Sequence, residues 1–155
     1  MNMIERATKQ DFKQIRLIAI TCFDENIATD HSLFIARFLV GSYFKNKNIE
    51  SRLSRGYELF VLKEETNVVG FIELQNISHV ANLFVLPICQ KKGYGKMLME
   101  FAFSYCKKCG KTEISLDALK NAIRFYSKLG FVSLNRMKKM FGIETYMMKK
   151  DLKDD

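Results

Sequence analysis

The stretch "NLFVLPICQKKGYGKMLMEF", residues 82–101, decides the fold. It runs from an apolar, strand-like segment through Pro87 and two closely spaced glycines, Gly93 and Gly95, into Met97, Leu98, Phe101 and Ala102 at helical spacing. A strand that turns on glycine into a helix leaves several first-turn N–H groups pointing one way, at the positive end of the helix dipole. That arrangement suits an anion. Glycine at 93 and 95 permits unusual dihedrals and close approach to the backbone, and Lys91, Lys92 and Lys96 add positive charge. No Gly-Lys-Ser/Thr follows and a third glycine is missing, so the turn is neither a Walker loop nor a dinucleotide fingerprint.

Outward from this turn the chain reads as alternating short elements. Toward the C-terminus, the helix bearing Met97, Leu98, Phe101, Ala102, Tyr105 and Cys109 stops at Gly110, and "TEISLDA" reads as a strand. The spacing predicts a last helix over 119–129, ended by Gly130. Two further strands follow, "FVSL" and "ETYMMKK", joined by the basic loop "NRMKKMFG".

Toward the N-terminus, "YELFVLK", "NVVGFIEL" and "HVANLFVL" are β-rich runs separated by the hairpin connections "EETN" and "QNIS". Thr8 and Asp11 form a capping-box pattern ahead of a helix whose Phe12, Ile15, Ile18, Ala19, Cys22 and Phe23 recur on one face. A polar connection, "DENIATDH", leads to a second, unusually apolar helix expected from Ser32 to about Lys47. The order is β, α, α, β, β, β, α, β, α, β, β, with a strand–helix–strand unit between 79 and 117 that requires one parallel pairing in an otherwise antiparallel sheet. The expected fold class is α+β, in a single domain over 1–155, with about seven strands and about four flanking helices.

Composition narrows the function classes. With 48% hydrophobic and 12% aromatic residues the chain has the makings of a packed core and no low-complexity arm. The four cysteines show no zinc-site spacing, and no metal is expected. The N-terminus is charged at once and the longest apolar stretch, "SLFIARFLV", is interrupted by Arg37, so a reduced cytoplasmic setting without a membrane partner is expected. A net charge of +8 invites a nucleic-acid reading, but the lysines and arginines are scattered in short groups and read as a solvated surface.

Val85 and Pro87 followed by Gln90-x-x-Gly93-x-Gly95 resemble the acyl-CoA pyrophosphate-binding motif of the GNAT superfamily of N-acetyltransferases. "NAIRFYSKLGFV", residues 121–132, resembles that family's later helix-to-strand segment. The resemblance covers essentially the whole chain and implies a partly splayed sheet, acetyl-CoA as co-substrate, and a small-molecule or peptide amine as acceptor, with a homodimer compatible. It implies that backbone groups of Leu83, Phe84 and Val85 bind the pantetheine arm, where one N–H can polarise the acetyl carbonyl. Gln90, Lys91, Lys92, Gly93, Tyr94, Gly95 and Lys96 would hold the pyrophosphate.

Tyr126 matches the family tyrosine that protonates the leaving thiolate; a phenol is protonated at neutral pH and can donate. It also shares an expected helical face with Leu119, Ala122 and Ile123, which suits a half-buried packing residue equally. His79 stands where the family often carries a glutamate, and a strand alternation with Ala81, Leu83 and Val85 would put it on the cofactor-facing side as the base. Glu73 is the other candidate base, its ordinary alternative being an outward-facing sheet charge; a water relay is the third. The family's asparagine is replaced by Leu119, leaving Asn121 as the substitute cofactor contact if the helix starts irregularly. Cys89 lies near the turn without a neighbouring histidine, so direct transfer is expected rather than an acyl-enzyme. The alternative reading is a non-catalytic acyl-CoA-binding or nucleic-acid-associated module on the same fold.

Overall fold

The computed structural model describes residues 1–26, 34–140 and 142–153. One sheet runs through them, with strands β1 (Asn2–Arg6), β2 (Tyr57–Glu64), β3 (Asn67–Gln75), β4 (His79–Val85), β5 (Glu113–Leu119), β6 (Val132–Met140) and β7 (Ile143–Asp151) in the order β1-β2-β3-β4-β5-β7-β6. Every neighbouring pair is antiparallel except β4 and β5, the pair joined by the crossover helix α4 (Tyr94–Lys108). Helices α1 (Phe12–Asn26), α2 (Phe34–Tyr43) and α3 (Asn46–Leu53) cover one face; α4 and α5 (Ile123–Lys128) cover the other.

Two apolar clusters result. Phe12, Ile15, Ile18, Ala19 and Cys22 of α1 pack on Leu59, Val61 and Phe71, whereas Leu98, Ala102 and Cys106 of α4 pack on Phe60, Ile72, Ile114 and Leu116. Strands β2 and β3 thus send alternate side chains to opposite clusters, as their pleat requires. The start of α1 is fixed by the Thr8 N–H donating to Asp11 Oδ2 at 2.8 Å. No helix among the described residues is long and apolar enough to cross a membrane.

Three expectations about elements are corrected. The apolar helix expected from Ser32 to Lys47 is two helices, because Lys45 takes an extended conformation and starts α3, which adds a fifth helix; Ser32 and Leu33, with the connection from 27 on, lie outside the described residues. The helix expected over 119–129 is shorter. Leu119 still pairs with Thr145 as the end of β5, and Lys120–Ala122 form a 3-10 turn before α5, so Leu119 is not on the face of Tyr126. The basic loop "NRMKKMFG" is largely strand: β6 continues to Met140 through a register shift between Ser133 and Met137, where Asn135 adopts φ 55°. Every residue of β6 is exposed, and its Arg136, Lys138 and Lys139 suit an unpaired sheet edge that must resist further pairing.

Candidate active site

Strands β4 and β5 pair only at His79 with Ser115 and Val80 with Leu116; beyond those residues they part. At the same place β4 carries a bulge. Glu73 faces Asn82 but Leu74 faces Val80, leaving Ala81 without a partner on β3. The extra residue reverses the alternation. Leu83 and Val85 then turn to the α4 side, while Asn82 and Phe84 turn toward α2 and α3. His79 lies on the Asn82 side, where it meets Ser115 and Asp117, and not on the face of Leu83 and Val85 that simple alternation predicts.

On the α4 side, the chain leaves β4 through a 3-10 turn at Pro87–Cys89 and reaches Gly93, the residue that caps α4 with φ 84°. Lys91 also takes a positive φ of 67°. A Cβ built on Gly93 would meet nothing within 4 Å, so the space before the helix N-terminus is open. No acidic residue stands in the first turn and no side chain caps it, which leaves N–H groups available to an anion. These features fit a CoA pyrophosphate.

The neighbouring side chains are less uniform than their charge suggests. Lys92 lies 3.8 Å from Glu64, and Lys96 lies 3.7 Å from Glu100. Tyr94 is buried and its hydroxyl bonds Glu64, which fixes the turn to β2. The Gln90 amide folds inward, donating to the Val85 carbonyl at 3.0 Å. The Cys22 thiol donates to the same carbonyl at 3.2 Å, so the Val85 oxygen is already engaged.

Gly95 brings the two motifs together. A Cβ there would lie 3.2 Å from Cζ of Phe125, so the first turn of α4 touches α5 through the missing side chain. Tyr126 follows, with its ring 5.0 Å from Phe125 and 5.7 Å from Phe131. Burial among these rings pushes its phenol up to about 12, which keeps it protonated at neutral pH. Asn121 is exposed in the 3-10 turn that precedes α5, so the helix starts irregularly at this residue.

On the α2–α3 side the opened strands border a cleft of about 850 Å³. Its wall contains a buried ion pair. Arg52 Nε and Nη2 donate to the Glu73 carboxylate at 2.7 and 3.3 Å, and the two side chains are 4% and 0% exposed. Glu73 is therefore no outward-facing sheet charge: Asn82 Nδ2 adds a third hydrogen bond at 2.8 Å, and both carboxylate oxygens are engaged. Arg52 also donates to the Tyr43 carbonyl at 2.7 Å and lies 3.6 Å over the Tyr43 ring.

His79 is half-buried, with Nδ1 2.9 Å from Ser115 Oγ and Nε2 3.8 Å from Asp117 Oδ2. Burial lowers its pKa below the ordinary imidazole value; Asp117 opposes this and Lys138 reinforces it. The ring is consequently neutral at neutral pH and able to accept a proton. Lys138 reaches over from β6 to Asp117 Oδ2 at 3.3 Å.

Sequence reasoning singles out His79, Glu73 and Tyr126 but overlooks Arg52, Asn82, Asp117 and Lys138. Signals for two of these exist. Arg52 falls on the buried face of α3 three residues after Ile49, where a charge demands a partner. Asp117 alternates with the buried Ile114, Leu116 and Ala118, which assigns it to the opposite face of β5.

Comparison with known proteins agrees with this fold and identifies its family. A family model described as an acetyltransferase (GNAT) domain matches residues 18–152. The chain is similar to the uncharacterised N-acetyltransferase YhdJ of Bacillus subtilis (strain 168), 32% identical over 106 residues that cover 61% of this chain and 68% of the relative. In fold it is similar to the PaiA N-acetyltransferase of Thermoplasma acidophilum, solved in complex with coenzyme A, with a TM-score of 0.84 at 19% identity over 97% of this chain and 99% of the other. A GCN5-related N-acetyltransferase from Rhodopseudomonas palustris gives 0.83 at 19% identity over 97% and 96%.

Proposed function

Because the chain belongs to the GNAT family of acetyltransferases, we propose that residues 1–155 act as one domain that moves an acetyl group directly from acetyl-CoA to a primary amine. The observation that carries this reading is the contact of Gly95 with Phe125, which joins the glycine turn to the Tyr126 segment where β4 and β5 part. Residues Gln90 to Lys96 hold the pyrophosphate, through the α4 N-terminus and the charges of Lys91, Lys92 and Lys96. Leu83 and Val85 offer backbone groups to the pantetheine arm, the Val85 carbonyl also closing the turn, whereas Phe84, two residues before the Leu86 N–H that donates to Val69, turns its own N–H and carbonyl to β3. Asn121 adds a contact from the 3-10 turn.

In the transfer an amide C–N bond forms and the thioester C–S bond breaks. His79 takes a proton from the amine, and Tyr126 gives one to the departing sulfur. A backbone N–H of β4 stabilises the charge that develops on the acyl oxygen. Glu73, with both oxygens bound, holds Arg52 and Asn82 in the wall and leaves proton transfer to His79.

Thiol release from acetyl-CoA across a broad panel of amines, with mass spectrometry of the products, tests the reading. Amine-dependent release with one acetyl group added per product is expected. Saturable acetyl-CoA binding without turnover would instead assign the chain to a non-catalytic acyl-CoA-binding module, and binding to nucleic acid that weakens steeply with salt would favour a nucleic-acid partner.

A further inference from the structure

The cleft beside α2 and α3 carries a charge pattern that acetyl transfer as such does not require. Among its described lining residues Asp117 is the only carboxylate, and the cations are Arg52, Arg55 and Lys138. Arg52 is already compensated by Glu73. Apolar and aromatic groups make up most of the remaining wall, including Leu39, Tyr43, Phe84, Met140 and Ile143.

Asp117 stands one residue beyond Leu116, the last β5 residue paired with β4, and so occupies the fork itself. Its Oδ1 is shut off from water and has no hydrogen-bond partner among the described residues. Its Oδ2 receives Lys138 at 3.3 Å, from a side chain that is 58% exposed and rooted on the edge strand. A carboxylate with one oxygen sealed and unpaired is under-compensated, while an exposed lysine contact of this kind contributes little and is readily exchanged. Lys138 therefore places a primary ammonium in the cleft, at the fork, on the carboxylate that an incoming amine would meet.

We infer that Lys138 is the chain's own stand-in for the acceptor, and that the acceptor is a monoamine with an apolar or aromatic body whose ammonium replaces Lys138 on Asp117. This rests on the acetyl transfer proposed above. The body of such an amine lies along Tyr43, Phe84 and Met140, and its nitrogen is delivered beside His79, whose Nε2 is 3.8 Å from the same carboxylate. A polyamine's further ammonium groups would face Arg55 and the displaced Lys138, where like charges oppose them.

The test is steady-state kinetics at saturating acetyl-CoA with 2-phenylethylamine, hexylamine and spermidine, on the wild type and on Asp117→Asn and Lys138→Met. The two monoamines should exceed spermidine in kcat/KM by roughly ten-fold or more, the scale of one charged hydrogen bond. Asp117→Asn should raise the monoamine KM by about ten-fold and leave that for acetyl-CoA unmoved, whereas Lys138→Met should lower the monoamine KM. Lys138 is on an exposed edge, so its variant carries the test if Asp117→Asn fails to fold. Preference for spermidine, or an amine KM indifferent to Lys138→Met, overturns the acceptor class and leaves acetyl transfer standing. Acetyl-CoA binding with no thiol release for any amine overturns the transfer and this inference together.

Discussion

On the side of α4 and α5 the opened strands are flanked by backbone and aromatic rings: a left-handed glycine, a helix N-terminus, and Tyr126 between Phe125 and Phe131. On the side of α2 and α3 they are flanked by charges, with Arg52, Glu73 and Asn82 in the wall and His79, Asp117 and Lys138 at the fork. The difference is one of coupling. A site shaped by dihedrals and ring contacts depends on a few positions taken singly, whereas a site shaped by partly buried charges changes as a whole when one member goes, because each partner left behind is desolvated and unpaired.

The largest effect should come from the α5 side. Tyr126→Phe removes one hydroxyl and keeps the ring contacts with Phe125 and Phe131. It is expected to lower kcat by about two to four orders of magnitude, as loss of a general acid does, with acetyl-CoA affinity unchanged in calorimetry. Turnover within a few-fold of wild type would reduce Tyr126 to a packing residue and leave the α5 side without chemistry of its own.

The charged side should answer first in stability. Glu73→Ala strands Arg52, only 4% exposed, without its carboxylate, and should cost about 3–5 kcal/mol in urea unfolding. Combining it with Arg52→Met should recover most of that loss, since the pair removed together leaves no buried charge behind. Additive losses in the double variant would mean that the two residues are not coupled, and the contrast between the sides would fail.

The same contrast explains what could be read from the residues alone. The glycine turn is legible because its conformation and its helix start are local: Gly93 and Gly95 precede an apolar periodicity that only a helix satisfies. The element order and the one parallel pairing are legible for similar reasons. The acceptor wall is not. Arg52 and Glu73 are 21 residues apart, and neither announces its partner. The bulge at Ala81 is invisible to alternation, and by reversing it moves His79 to the charged side. An exposed edge strand such as β6, with Asn135, Arg136, Lys138 and Lys139 in its middle, has the composition of a loop.

A smaller effect tests the backbone-built side. Gly93 holds φ 84°, where an alanine costs about 1–2 kcal/mol and where its methyl group would enter the open space before α4. Gly93→Ala should therefore weaken CoA binding by about ten-fold while leaving the amine KM unaltered. An amine KM that moves as far as the CoA affinity would show that the two sides of the fork communicate.

The smallest expected effect lies in the pH dependence, and it separates proton transfer from support of the wall. His79 acts as a base only when neutral, and burial holds its pKa below the ordinary 6.5, so kcat/KM should be flat near neutrality and fall as pH drops through that lowered value. Lys138 contributes to the lowering and Asp117 opposes it. Lys138→Met should accordingly move the acid limb to higher pH by about a few tenths of a unit, and Asp117→Asn should move it the other way. The same shift acts on folding. The unfolded imidazole binds its proton at higher pH than the folded one, so this part of the stability is present above pH 6.5 and is lost as pH falls through the folded pKa. His79→Asn should flatten both profiles over that window. If it flattens the unfolding profile and leaves the acid limb of kcat/KM in place, His79 belongs to the charged wall, and the proton leaves the amine by another route.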